Sequence, residues 1–215
     1  ELFRLEVCLV TTSNIVPDLL YRDGLQRQRF LPAIALLKQH CQVINVDGGT
    51  DYRLRALEKA PLYCSPLGLT ADADIEAIFN RLVPVEGEIK IAVNLEVEGR
   101  SIPVVKLSED IVWFQFASLC EGPRSQNDYI AIAREFHAVI ISNIPIMGDD
   151  NNDATRRFIN LVDEFYDRNV KVAISAAEGL PNLYSGGRLA FEFERTQSRL
   201  LEMQSHEYLA RPHCP

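Results

Sequence analysis

The chain has no long apolar run, no CxxC pair and no surplus of basic residues, and each absence closes off a class of protein. No apolar stretch approaches the ~20 residues a membrane-spanning helix needs. The opening ELFRLEVCLVTTSN has no basic segment followed by an apolar one, so it is not a signal peptide. It reads as a helix end running into a strand, and the chain is expected to start within a domain. The five cysteines (Cys8, Cys41, Cys64, Cys120, Cys214) are odd in number and widely spaced. Free thiols in a reducing compartment are expected rather than a disulfide framework. His40 beside Cys41 and His213 beside Cys214 form no ligand spacing with the other histidines, so no metal site is expected. With a net charge of −8 the chain has no broad field to attract nucleic acid or anionic lipid. Its basic features are short clusters of arginine.

What is present suits a soluble α/β protein. The 215 residues are 47% hydrophobic and 24% charged, enough for one large domain or two small ones. Val7 to Thr12 is a β-branched apolar run that predicts a buried strand. Asp23-Gly24 marks a turn. Ile34, Leu36-Leu37 and Cys41 predict a helix with Pro32 in its first turn. Val43 to Val46 predicts a second short strand, and Asp51 a cap for a helix from Tyr52. Ile75, Ile78, Phe79 and Leu82 predict a helix capped by Thr70 or Asp72. Pro84 and Gly87 then mark a domain boundary. Beyond it the period becomes two, over Ile89 to Val97, then Ile102 to Val105 and Ile111 to Phe116. This predicts an antiparallel meander in which Pro103 suggests an edge. Helical faces at Tyr129–Phe136 and Phe158–Tyr166 alternate with apolar runs at Ala138–Ser142 and Val170–Ser175, which predicts a parallel crossover. Gly186-Gly187 turns into the alternating LAFEF, and a helix over Arg195–Leu209 closes the chain. Leu9–Tyr21 and Val172–Tyr184 echo each other, each reading strand, small polar residue, loop, proline, Leu-Tyr.

The strongest local site is Thr11-Thr12-Ser13-Asn14. An amide at the carboxyl end of a parallel strand sits where α/β folds bind ligands. In nucleotide-hydrolysing folds it can hold the attacking water; elsewhere it merely closes an Asx turn. Arg27 and Arg29 follow in YRDGLQRQRFLP, 13 and 15 residues after Asn14, with Arg22 before them. Such an arginine can stabilise the phosphoryl group of a neighbouring subunit's nucleotide, or simply face solvent.

The order TTSN, PDLLY, DGLQRQRFLPAI, DYRLR, followed by PRSQNDYIAIAREFH, RRFINLVDEFYDRNVK, FEFERTQSRLLEMQS, resembles the ZapE-type, AFG-like ATPase family of the AAA+ class. The resemblance is collinear from about Val7 to Leu209 and matches the family's C-terminal part. It implies an α/β fold: the remnant of an AAA+ core with a small lid over residues 1–84, then a second α/β domain with the antiparallel meander over 85–215. It implies that Asn14 is the sensor residue, that Arg27 or Arg29 is the arginine finger, and that Arg53 and Arg55 lie where a lid arginine would contact nucleotide. ATP and Mg are the implied cofactors of the intact protein. The implied role is remodelling of a protein partner such as FtsZ at the bacterial division ring, in the cytoplasm, by a homo-oligomer.

The departure from the family is large. None of the eleven glycines is followed by lysine, so the GxxxxGK[ST] cradle is absent. Leu161-Val162-Asp163-Glu164 imitates a Walker B strand. Its apolar residues, however, share a helical face with Phe158 and Phe165, which turns the acids elsewhere, toward solvent. Arg156-Arg157 reads either as a nucleotide or partner contact or as pairing with Asp153. The repeated polar pairs Glu194-Arg195, Ser198-Arg199 and Glu202-Met203 suggest an inter-domain or inter-subunit docking face. Ser198 has no visible base partner and is rejected as a nucleophile. Two other readings remain: a non-catalytic interaction module, and a small-molecule domain using Ser142-Asn143 and Ser175.

Overall fold

The computed structural model describes residues 7–13, 15–21, 27–44, 57–58, 60–84 and 87–215. The chain divides into two compact units, Glu1–Thr50 and Asp51–Pro215. The division lies ahead of the Pro84–Gly87 boundary read from sequence.

In the first unit, 3-10 turns at Pro17–Leu19 and Arg27–Arg29 precede helix α1 (Leu31–His40). Pro32 stands in the first turn of α1, where the missing N–H is no loss. Ile34 is the single buried apolar residue among those described here, while Val10 is 89% exposed. The strand expected at Val7–Thr12 does not form: no strand among the unit's described residues offers it a ladder. Val43 and Ile44 are likewise exposed and in no strand. The Asp23-Gly24 turn and the Asp51-capped helix lie outside the described residues, as do Asn14, Arg53 and Arg55.

The second unit is built on one mixed sheet, as the α/β expectation required. Its strands are β1 (Tyr63–Cys64), β2 (Lys90–Val97), β3 (Arg100–Ser108), β4 (Ile111–Gln115), β5 (Ala138–Ile144) and β6 (Lys171–Ala176). They lie in the order β1-β6-β5-β4-β3-β2. Strands β1, β6, β5 and β4 run parallel, and β4, β3 and β2 form the antiparallel meander. Residues 57–84, grouped by sequence with the first domain, supply β1 and helix α2 (Leu69–Leu82) to this unit.

Pro103 is not on an edge strand, because β3 pairs on both sides. Proline is tolerated there since pairing with β4 runs only from Lys106 to Ser108, and Pro103 stands opposite Asn94 of β2 alone. Strand β2 is the edge, and Ala92 interrupts its ladder with φ +51° between the paired residues Ile91 and Val93.

Apolar side chains emerge on both faces, as a sheet buried on both sides demands. On one face α2 packs Ile75, Ile78, Phe79 and Leu82 against Trp113 and Ile140. Its cap is Gly68 at φ +150°, so Thr70 and Asp72, expected as caps, lie inside the first turn. On the other face pack a π-helical turn (Ala117–Glu121) and helices α3 (Gln126–Glu135), α4 (Asn152–Asp167) and α5 (Ala190–Glu202). Phe158 of α4 sits with its ring centre 6.0 Å from Phe116 and 6.5 Å from Phe193. The LAFEF alternation is helical: Leu189, Phe193, Thr196 and Leu200 are buried at spacings of three and four, and Phe191 is exposed. Helix α6 (His206–Leu209) ends the chain. Among the described residues no helix is long and apolar enough to cross a membrane.

Candidate functional site

The site expected from sequence lies in the first unit, and its described part is a small knot of polar bonds. Ser13 Oγ accepts from the Ile15 amide at 3.2 Å and donates to the Ile15 carbonyl at 2.9 Å, so it engages both main-chain groups of Ile15. The chain then enters the Pro17–Leu19 turn. Arg27 Nη2 donates to the Asp18 carbonyl at 2.6 Å. The Asp18 carboxylate in turn holds Lys38 Nζ of α1 at 2.7 Å. Both side chains are more than half exposed, so this pair contributes at most about 1 kcal/mol.

Arg27 and Arg29 therefore occupy different surroundings within one turn. The Nε of Arg27 is buried without a hydrogen-bond partner among the described residues. Arg29 is exposed and bonds to no described residue. The contributions of Asp18 and Lys38 had no sequence signal, because both arise from tertiary contact.

The features of the second unit that imitate a site are structural. Asp163 of the Walker B look-alike does not point to solvent as expected. It pairs with Arg195 at 2.6 Å and also with Arg199, both on α5. Glu164 accepts from Gln126 at 2.6 Å. Arginines of the polar stripe expected as an inter-domain or inter-subunit docking face thus join α4 to α5 within one unit. Glu202 accepts from the Tyr166 hydroxyl at 2.6 Å and from Arg211 at 2.8 Å, and Met203 is buried. Ser198 donates to the Glu194 carbonyl of its own helix. At the strand ends, Ser142 Oγ receives the Trp113 indole N–H at 2.8 Å, and Ser175 Oγ receives the Asn143 amide at 3.0 Å. Asn143, at φ +62°, donates its side-chain amide to Gln115. These groups are committed to the fold. A cleft lined by Leu62, Tyr63, Val172, Ile174, Leu200 and Met203 has room for little more than a water molecule and is too small for a small-molecule site.

Burial raises the Tyr63 hydroxyl to about 12, with Glu178 adding to the effect. Burial, with Asp74, also raises the Cys64 thiol to about 11. Neither is poised for acid–base or nucleophilic work near neutrality. Among the described residues no group of three or more His, Cys, Asp or Glu could hold a metal ion.

The residues present therefore fit only the fringe of a nucleotide site. They offer guanidiniums for phosphoryl charge, but no lysine-bearing glycine loop, and of the two Walker-like acids Asp163 is tied to two arginines and Glu164 to Gln126. The model of the AFG1-like ATPase family matches residues 1–212, and the chain belongs to that family. It is 48% identical to the cell division protein ZapE of Escherichia coli K12 over 99% of this chain and 56% of that protein. It is 33% identical to lactation elevated protein 1 homolog B of Danio rerio over 96% of this chain and 48% of that protein. The chain thus spans about half the length of the curated relatives it matches. No solved structure matches it.

Proposed function

We propose that this chain is the sensor, arginine-finger and partner-docking portion of an ATPase. That ATPase couples hydrolysis of Mg-ATP to remodelling of a partner protein in bacterial cell division, with FtsZ the partner the family resemblance suggests. The observation that carries this reading is the 2.6 Å bond from Arg27 to the Asp18 carbonyl. It ties the arginine turn to the residues directly following Thr11–Asn14, as a device reading and stabilising one phosphoryl group would require. In this reading Asn14 orients the attacking water, Arg27 or Arg29 faces the nucleotide of a neighbouring copy in the cytoplasmic assembly, and Arg53 and Arg55 belong to a lid. Residues 1–84 then act together as core and lid in function, although 57–84 contribute to the sheet of the second unit.

The test is ATP hydrolysis by the 215-residue chain beside a protein extended upstream to the length of its relatives. Turnover confined to the longer protein is expected, and Asn14→Ala in it should abolish turnover while sparing ATP binding. Mixing Arg27→Ala or Arg29→Ala with a variant dead in its phosphate loop should restore activity for one arginine and so identify the finger. Absence of turnover in every longer preparation would overturn the catalytic reading and leave a non-catalytic interaction module.

A further inference from the structure

Three arginines from separate elements hold the segment from Ser118 to Asp128, which follows the carboxyl end of β4. Arg100, the first residue of β3, directs Nη1 to the Pro123 carbonyl at 3.3 Å, to Ser125 Oγ at 3.4 Å and to Asp128 Oδ2 at 2.8 Å. Arg124 donates Nε to the Ser118 carbonyl at 3.0 Å and Nη2 to the Ser101 carbonyl at 3.2 Å. Arg157 of α4 donates Nη1 to the Cys120 carbonyl at 3.0 Å. Cations at the carbonyl end of a helical turn stabilise it, and that accounts for the bonds of Arg124 and Arg157 to the Ser118 and Cys120 carbonyls. It does not account for the others.

Arg100 and Arg157 both bond through Nη1 alone, so each keeps its Nε–Nη2 edge. That edge is the fork that grips a carboxylate with two parallel hydrogen bonds. The Arg100 side chain is 47% exposed, and none of the three arginines has a buried nitrogen lacking a partner. Asp128, 1% exposed, offsets Arg100, and Glu121 stands exposed on the same turn. A net positive spot remains on a chain whose overall charge is −8. It lies at the carboxyl end of a parallel strand, where α/β sheets receive ligands.

We propose that Arg100, Arg124 and Arg157 form a docking site for an acidic segment of a partner protein. Arg100 and Arg157 each clasp a carboxylate through the Nε–Nη2 edge, and Arg124 supplies its remaining Nη1. The carbonyl bonds hold the three guanidiniums in place before binding, which lowers the entropy lost on contact. Only the idea that the ligand is a protein rests on the function proposed above. The test needs neither nucleotide nor hydrolysis, so a negative result here is distinct from a negative ATPase result.

A fluorescein-labelled hexaglutamate peptide is titrated into the whole 215-residue chain and followed by anisotropy, beside a neutral Gly-Ser peptide and a labelled single-stranded oligonucleotide. Hexaglutamate alone should bind, less tightly as salt is raised. Arg157→Lys keeps the charge and removes the fork, and should weaken binding roughly tenfold. Arg100→Lys should do the same while keeping a cation beside Asp128. Arg156→Gln, an exposed neighbour with no carbonyl anchor, should change affinity by no more than about twofold. Melting temperatures equal to that of the parent chain verify folding. Failure of hexaglutamate to bind overturns the proposal, as does equal loss in Arg156→Gln. So does tighter binding of the oligonucleotide through the same arginines, which would make the spot a nucleic-acid site.

Discussion

Lys171 Nζ donates to the Arg211 carbonyl at 2.7 Å and fastens the C-terminal tail to strand β6. It also donates to the Tyr208 carbonyl at 3.2 Å and lies 5.2 Å from the centre of the Tyr208 ring. Lys171 is 2% exposed. A buried ammonium persists only where carbonyls and an aromatic face replace its water. The Tyr208 hydroxyl shares its proton among the carbonyls of Phe165, Tyr166 and Val170, all within 3.3 Å. The tail thereby pins the turn between α4 and β6.

Tyr208→Phe leaves those carbonyls without their donor and should cost about 1–3 kcal/mol, read from urea unfolding. Lys171→Met removes the tether, so chymotrypsin should cut after Tyr208 and Leu209 faster than in the parent chain. Unchanged cleavage would show that the tail is held by its other contacts.

Asp163→Asn separates the two meanings of the LVDE segment. Its partners are partly exposed, so each lost ion pair should cost under about 1 kcal/mol. In the longer protein ATP turnover should stay at the parent rate. A collapse of turnover with intact folding would restore Asp163 to the catalytic apparatus.

The thiols should fall into two groups toward an aromatic disulfide reagent at pH 8. Cys8 and Cys214 are exposed and react at once, and Cys41, partly covered, follows. Cys64 and Cys120 are buried, and burial raises both thiols, so they react only on unfolding. Five rapid equivalents in native buffer would contradict the fold at both buried positions.

The Glu202 carboxyl is held below its ordinary range, first by the Tyr166 hydroxyl and then by Arg211. A group lowered in this way stabilises the fold above its unfolded pKa and loses that contribution as pH falls through the folded value. Glu202→Gln should therefore flatten the acid side of a melting-temperature profile, below the usual carboxylate range. An acid limb as steep as in the parent chain would place its origin elsewhere.

Helices with a full apolar period were legible from sequence: Ile75, Ile78, Phe79 and Leu82 lie on one buried face, and Phe158 to Phe165 on another. So were the parallel strands β5 and β6, whose β-branched runs exceed any helical reading. Strand β1 was missed because two residues carry no period; it exists through pairing with Ile174 and Ser175. LAFEF misled because five residues fit both periods, and its burial settles in the helical one. The polar pairs of α5 were visible as a stripe, but sequence cannot say whether a stripe meets another helix of the same unit or another molecule. The arginine turn was found by spacing alone. Its anchorage on Asp18 and Lys38 depends on tertiary contact. The 3-10 turns at Pro17–Leu19 and Leu180–Asn182 fall at matching places in the two echoing segments, whereas among the described residues only the second is preceded by a strand.

The left-handed residue in β2 bears on colloidal behaviour. An eight-residue edge with Ile91 exposed is a template on which other chains could stack into aggregates. Ala92 splits that template into two short pieces, and Lys90 and Glu96 set charge on each. The protein thus guards its open edge by a kink in the backbone, and crowding should leave it dispersed as long as that kink survives.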